Sequence, residues 1–293
     1  MEQKRITVAL VMTCYNSENT IIRALESVER QIRKPDSFII IDDASKDKTV
    51  ELIEEYKKTS SLNIELYVSE ENGGAGVSKG RGVNLAKSDY ITFMDSDDEL
   101  KEDAISFMAS MAEKNEGVDL IATRLCRMFG KGRVPERQPL AGRYEGKKIF
   151  FLWNEGIILN SYMPTKLFRR EVIKDIPVCS FRYMEDYITI LDWLWETKSA
   201  IIYDKETYIY HNNEGSLSND GKSRQKIMDV IRAYLYRFAF CKSYYIPIRK
   251  EDRSIEVVKR HIKEARERND LSKNDLGLVD ALELQVKWVE EQK

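Results

Sequence analysis

No two of the four cysteines, Cys14, Cys126, Cys179 and Cys241, are close enough in sequence to make a CxxC pair or a metal-ligand set. Their spacing argues against a disulfide scaffold and fits a reduced, cytosolic protein with unpaired thiols. No apolar run reaches the roughly 20 residues that a membrane-spanning helix needs. Met1 to Arg5 is short and polar and leads straight into a strand, so no signal peptide is expected. An excess of one charge is also missing. The 47 Lys and Arg nearly balance the 49 Asp and Glu, and a net charge of −2 argues against a nucleic-acid binder. Nothing repeats at a fixed period. At 293 residues, 42% hydrophobic, the chain has enough apolar content for one large core, alone or with a smaller appendage.

Three familiar loops are absent as well. A calcium loop starting at Asp95 needs glycine at its sixth position, where Leu100 stands. The glycine turn Gly76-Val77-Ser78-Lys79-Gly80 lacks the Gly-Lys-Ser/Thr of a phosphate-binding P-loop. Gly74-Ala75-Gly76-Val77-Ser78-Lys79 lacks the third glycine of a dinucleotide fingerprint and follows the third strand instead of the first, which disfavours a Rossmann dehydrogenase.

What is present is alternation. Ile6 to Met12, Ser37 to Ile41, Ile64 to Val68 and Tyr90 to Met94 are apolar runs of strand length. Between them, Ile21, Leu25, Val28 and Ile32 fall at helical period, as do Val50, Ile53 and Tyr56, and Ser78 to Ala86 reads as a short helix. This βαβαβαβ pattern predicts an α/β fold with a parallel sheet and right-handed crossovers. The loops at Thr13 to Ser17, Asp42 to Asp47 and Asp95 to Asp98 then converge at the carboxyl ends of strands, where such sheets bind ligands. A helix over Asp103 to Lys114 packs a Met/Phe stripe, and Leu120 starts another strand. Gly130 to Gly146 reads as a Gly/Pro/Arg-rich loop. Glu185-Asp186 opens a helix, and Ala200 to Tyr203 and Thr207 to Tyr210 read as two late strands.

Asp95-Ser96-Asp97-Asp98 is the most demanding stretch. Three carboxylates crowded at a strand end repel one another unless water or a cation offsets them. Two readings are open: a divalent metal holding a phosphorylated ligand, or an acidic cap on a helix beginning near Lys101.

Taken together, the ordered pieces resemble the family-2 glycosyltransferases with the GT-A fold. They are Val11 to Asn16, Ile41 to Thr49, Asn72-Gly73-Gly74 with Arg81, Tyr90 to Asp98, Lys166-Leu167-Phe168, Met184-Glu185-Asp186 and Tyr208 to His211, spanning roughly residues 5 to 220. The resemblance implies a GT-A domain over 1–220 and a helical extension over 221–293. It also implies a UDP-sugar donor, a glycan or lipid-linked acceptor, a Mn²⁺ or Mg²⁺ ion, and a bacterial cell-surface polysaccharide setting. Thr13 and Tyr15 would hold the base, and Asp43 would accept from uracil N3–H. Arg81 would face the diphosphate, Asp95 the ribose or sugar. Asp97 would ligate the metal and His211 the metal or a phosphate. Asp186 would be the general base, with Glu185 orienting the acceptor and Lys166 lying under the site.

Several residues keep plainer readings. Asp42, Asp43 or Asp47 can cap a helix, Asp98 is read as a cap, and Ser96 and Cys14 are given no role. Gly82 departs from the family, which commonly has asparagine after the arginine, and this puts the register of Arg81 in doubt. Ile227, Val230, Ile231, Tyr234, Leu235, Phe238 and Cys241 make an amphipathic helix that either packs on the protein or contacts a membrane peripherally. Two other classes stay open beside the transferase: a nucleotidyltransferase, which wants a basic glycine-rich loop after the first strand that Thr13 to Ser17 does not supply, and a catalytically silent nucleotide-sugar-binding module.

Overall fold

All seven residues of Val8–Cys14 (β1) are buried, so this strand is covered on both faces and its continuous apolar run needs no alternation. The computed structural model describes residues 5–129, 132–135, 140–212, 223–248 and 252–291. On one side of β1 lies Ser37–Asp42 (β2), followed by Ile64–Val68 (β3); on the other lies Tyr90–Asp95 (β4), and all four run parallel. Three helices make the crossovers: Ile21–Glu29 (α1), Thr49–Thr59 (α2) and Ala75–Leu85 (α3). The expected alternation is therefore the observed one, with strand order β3-β2-β1-β4.

Beyond β4 the sheet changes character. The short strand Glu99–Leu100 (β5) and the helix Ala104–Lys114 (α4) lead to the long strand Leu120–Phe129 (β6). Inside the stretch read as a loop, Gly132–Pro135 (β7) pairs with β6 and Gly142–Glu145 (β8) pairs with a later strand; residues 130, 131 and 136–139 lie outside the described residues. Then come Lys148–Asn154 (α5), Lys166–Arg169 (β9), Arg170–Ile173 (α6), Glu185–Glu196 (α7) and Ser199–His211 (β10). The two late strands are thus one strand. Register shifts between Ile202 and Tyr208 interrupt its pattern, which is why the sequence splits it. β9 runs antiparallel to both β4 and β6, so β6 and its parallel partner β10 point the same way as β4. The carboxyl ends of β1, β2, β4, β6 and β10 therefore face one edge of the sheet.

The chain divides into two compact units, residues 1–180 with 189–214, and residues 181–188 with 215–293. The second contains Arg224–Ser243 (α8), Arg253–Arg266 (α9) and Lys273–Glu291 (α10). In α8, Ile227, Val230, Ile231, Tyr234, Phe238 and Cys241 are buried, so the face that the sequence offered to a membrane is covered by protein. Arg237 is buried too, with its guanidinium held by Asp252 and Ser254. No helix among the described residues is long and apolar enough to cross a membrane.

One close approach in the first unit sets the position of α3. A Cβ on Gly82 would lie 2.3 Å from Val11 Cγ1 of β1, far inside van der Waals contact. Glycine there lets the helix sit directly on the central strand. Gly82→Ala is expected to cost about 1–3 kcal/mol of stability, overriding alanine's better helix propensity, because the β-branched Val11 cannot swing away. Urea denaturation measures this; equal or higher stability would show that the contact is not tight.

Candidate active site

In the strand register, Thr13 of β1 sits beside Ile41 of β2 and Asp95 of β4, and Cys14 sits beside Asp42. The three loops expected to converge do so at this edge. The first two are stitched together by hydrogen bonds. Asn16 N–H donates to Ser45 Oγ at 2.9 Å, Lys46 N–H to Asn16 Oδ1 at 2.8 Å, and Ser17 N–H to Thr49 Oγ1 at 2.7 Å. Asp47 accepts from Glu18 N–H and from both the N–H and hydroxyl of Thr49, the first residue of α2. Burial opposes its charge, but the Thr49 and Glu18 hydrogen bonds outweigh that and hold the carboxyl below its usual range. Thr13 is nearly covered, whereas Tyr15 is 44% exposed, which leaves its ring available to a planar partner.

Asp42 and Asp43 divide the work. Asp42 is fully buried and accepts from Ser45 N–H at 2.9 Å and Ser45 Oγ–H at 2.5 Å. Cys14 Sγ lies 3.5 Å from it; burial, then the Asp42 charge, push this thiol well up, so it is no nucleophile. Asp43 turns to the glycine loop. Its Oδ1 accepts from Gly73 N–H at 2.9 Å and Ser78 Oγ–H at 3.1 Å, and its Oδ2 from Gly74 N–H at 2.8 Å. The carboxylate thus pins the turn into α3, whose first turn follows Gly74 at φ 89°. Oδ2 retains a lone pair for one more donor.

At the end of β4 the acidic run splits by environment. Asp95 is partly exposed, with its N–H on Tyr208 Oη at 3.1 Å. The backbone carbonyl of Asp97 accepts from Arg23 Nη2 at 2.5 Å. Ser96, which was assigned no role, is buried with its hydroxyl 2.7 Å from Ser17 Oγ, tying the β4 loop to the β1 loop. Asp98 does not cap the next helix, because α4 starts at Ala104 and β5 intervenes. It is buried instead, accepting from Tyr208 Oη–H at 2.7 Å and from His211 N–H at 2.8 Å. Burial, followed by the charges of Asp97 and Asp95, pushes its pKa well above the usual carboxylate value against those two hydrogen bonds.

The Glycosyl transferase family 2 model matches residues 9–177, more than half of the chain. The chain belongs to glycosyl transferase family 2. It is 25% identical over 289 residues to the poly(ribitol-phosphate) beta-N-acetylglucosaminyltransferase TarS of Staphylococcus aureus, covering 96% of this chain and 48% of that one. It is 25% identical to a poly(ribitol-phosphate) beta-glucosyltransferase of Bacillus spizizenii over 71% of this chain and 33% of that one. The chain thus spans half or less of the length of these curated relatives. Among solved structures, S. aureus TarS 1-349 in complex with UDP-GlcNAc superposes with a TM-score of 0.62 at 19% identity, covering 96% of this chain and 72% of that one. The mannosyltransferase PcManGT of Pyrobaculum calidifontis, in complex with GDP-Man and Mn²⁺, gives 0.53 at 14% identity over 98% of this chain and 72% of that one. The GT-A fold implied by the resemblance is the fold of this family-2 chain.

Within that fold, the buried cation of α3 beside Asp95 is not Arg81. Arg81 is exposed, 5.6 Å over the Tyr67 ring and 3.3 Å from Ser69 Oγ. Lys79, one helical face away, is 3% exposed with Nζ 3.9 Å from Asp95 Oδ1. Gly82 marks the same shift, since its contact with Val11 leaves no room for the asparagine expected after the arginine. The signal missed in the sequence was the placement of lysine between Gly76, Gly80 and Gly82, small residues that let a helix face lie flat and carry its neighbours inward.

Lys166 is fully buried, donating to Asn160 Oδ1 at 2.8 Å, Tyr162 O at 2.5 Å and Thr165 Oγ1 at 3.3 Å. It holds the turn before β9. His211 Nε2 lies 2.8 Å from Glu99 Oε1. Glu185 and Asp186 are the first two residues of α7 and belong to the second unit.

No group of three His, Cys, Asp or Glu side chains among the described residues is gathered as a protein-only metal cage. The donor set fits a different kind of site. Mg²⁺ and Mn²⁺ bind through one or two carboxylates plus substrate phosphates, and Asp95 and Asp97 are partly exposed beside a third carboxyl whose pKa is raised by burial and then by their charges.

Tyr208 holds this cluster together through a single hydroxyl. Tyr208→Phe is expected to leave Asp98 Oδ2 and the Asp95 N–H without a partner and to cost about 1–3 kcal/mol by urea denaturation. A loss below ~0.5 kcal/mol would mean that water replaces the hydroxyl.

Proposed function

We propose that this chain is an inverting, metal-dependent glycosyltransferase. It moves a sugar from a UDP-sugar to a hydroxyl of a glycan or lipid-linked acceptor in cell-surface polysaccharide synthesis. The carrying observation is the shared edge at which Thr13 and Asp95 stand side by side, with Asp43 entering from β2 and Lys79 buried next to Asp95. An exposed tyrosine, a buried lysine and a pair of carboxylates support a site for the base, phosphates and sugar of a nucleoside diphosphate. Relatives whose names describe transfer to poly(ribitol-phosphate), and a neighbour solved with UDP-GlcNAc, support the donor and acceptor classes.

In this reading Tyr15 stacks on the uracil and Thr13 hydrogen-bonds it, while Asp43 accepts from N3–H through the lone pair left on Oδ2. Lys79 takes the diphosphate role that the resemblance gave to Arg81, by charge and position. Asp97 and Asp95 hold Mn²⁺ or Mg²⁺, which when bound supplies positive charge to the diphosphate of the departing UDP. Asp186 takes the proton of the acceptor hydroxyl while that oxygen bonds to the anomeric carbon from the side opposite UDP. The anomeric carbon–oxygen bond to UDP breaks in the same displacement, and the configuration inverts. Glu185 orients the acceptor. Tyr208 and the His211 amide keep Asp98 in place beneath the ligating pair.

Two measurements test this reading. UDP is expected to bind with Mn²⁺ and far more weakly with a chelator, and Asp97→Ala to abolish the difference; calorimetry showing equal affinity in all cases would remove the metal. Asp186→Asn is expected to keep UDP binding and lose transfer about a hundredfold to ten-thousandfold, and near-normal turnover would exclude it as the base.

A further inference from the structure

Glu185 and Asp186 are bracketed by two tyrosines that are both held by α8, and all of these residues belong to the second unit. On the N-terminal side the anchor is Asp229. It is buried at 1% exposure, and its Oδ2 accepts from the Tyr183 N–H at 3.3 Å. Its other donors come from its own helix: Gln225 Nε2, at 2.9 and 3.0 Å from the two oxygens, and Arg232 Nη1 at 3.1 Å from Oδ1. The Tyr183 ring is buried, with Lys226 Nζ of α8 5.7 Å from its centroid. On the C-terminal side the Tyr187 ring meets that of Tyr234, centroids 5.7 Å apart.

Between the two anchors the backbone is forced. Met184 has φ 65°, a conformation that residues other than glycine rarely take. α7 begins at the next residue, and the Ile188 N–H closes its first turn on the Met184 carbonyl at 3.2 Å. A left-handed residue of this kind persists only where its surroundings over-determine it. Here the Asp229 bond lies one residue before it and the Tyr187–Tyr234 contact three residues after. α8 already has apolar residues enough to pack, among them Ile227, Val230, Ile231 and Phe238. A buried carboxylate is costly unless its lone pairs are answered. What it adds is register: an apolar contact tolerates sliding, whereas a hydrogen bond from one backbone amide does not.

We propose that Asp229 is a positioning residue for Asp186. α8 clamps residues 183–187 at both ends, the clamp keeps the Asp186 carboxylate aligned for proton transfer, and the C-terminal helices serve catalysis through it. The proposal rests on the transferase reading above, in which Asp186 is the base. A general base works only within hydrogen-bond reach of the proton it takes, so play in the turn before it appears as lost rate. Asp229 acts through Asp186 alone and makes no contact with substrate in this scheme.

The test compares the wild type with Asp229→Ala, Asp186→Asn and the double variant. UDP released from UDP-glucose, UDP-galactose, UDP-GlcNAc and UDP-GalNAc with Mn²⁺, water serving as acceptor, is measured beside UDP affinity by calorimetry. Asp229→Ala is expected to lower kcat by roughly tenfold or more with UDP affinity unchanged. Added to Asp186→Asn it should cost no further rate, because a residue that acts through Asp186 has nothing left to align. Hydrogen exchange of residues 183–187 should rise by at least about tenfold while that of β1 and β4 holds. Should Asp229→Ala unfold, Asp229→Asn carries the test. Its amide keeps one oxygen but turns a donor toward Gln225 and Arg232, and at least about threefold loss of rate is required. The proposal is overturned if rate or exchange is unchanged, if the two losses multiply in the double variant, or if UDP affinity falls with the rate, which would make the role of Asp229 purely structural. Near-normal release by Asp186→Asn would strike the base assignment, and a wild type that releases UDP from none of the donors would strike the transferase reading; the role given to Asp229 falls with either.

Discussion

Three carboxylates at the end of one strand impose the main constraint on the first unit. Asp95, Asp97 and Asp98 cannot all be charged and close together without compensation. The structure answers each in its own way. Asp98 is drawn into the core and given a tyrosine hydroxyl and a backbone amide, with its pKa raised by burial and by its two neighbours. Asp95 is left half in solvent with the buried Lys79 ammonium nearby. Asp97 is half-buried, and an arginine secures its backbone carbonyl. Asp95 and Asp97 are the pair that stays partly exposed.

The glycine-rich helix α3 supplies the positive member of that balance. Gly74 takes the left-handed conformation that opens the helix, and Asp43 fixes its two preceding amides. Gly82 lets the helix settle onto β1, and with the axis so placed Lys79 turns inward next to Asp95. Asp43 therefore organises the entrance to the helix that carries the cation. A substitution at Asp43 is a structural change before it is a change in recognition, because two glycine amides lose their acceptor.

β10 plays the matching part on the other side. Its bulges shift the register so that Tyr208, Tyr210 and His211 reach, in turn, the acidic cluster, the Arg127 guanidinium and the Asp98–Glu99 turn. One irregular strand thereby couples the acidic centre to the end of β6. Lys166, fully buried, extends that coupling to the turn carrying Tyr162.

The order of strands and helices through β4 was legible in the sequence, because buried parallel strands are continuous apolar runs and their helices keep a clean 3.6-residue period. The placement of contiguous motifs was equally legible: the Asp-x-Asp at the end of β4, the two aspartates at the end of β2 and the exposed tyrosine after β1. Other features depended on neighbours distant in sequence. Lys79 and Arg81 are two residues apart on one helix, and only the contact of Gly82 with Val11 decides which of them faces inward. Asp98 looks like a helix cap until Tyr208 and His211, more than a hundred residues later, arrive to bury it. Ser96 has no evident purpose without Ser17. Sequence determined the elements through β4 and which acids crowd together, since those follow from local pattern. Tertiary structure decided which of those acids is buried and which lysine lies beside them, since burial and pairing are properties of contacts between strands.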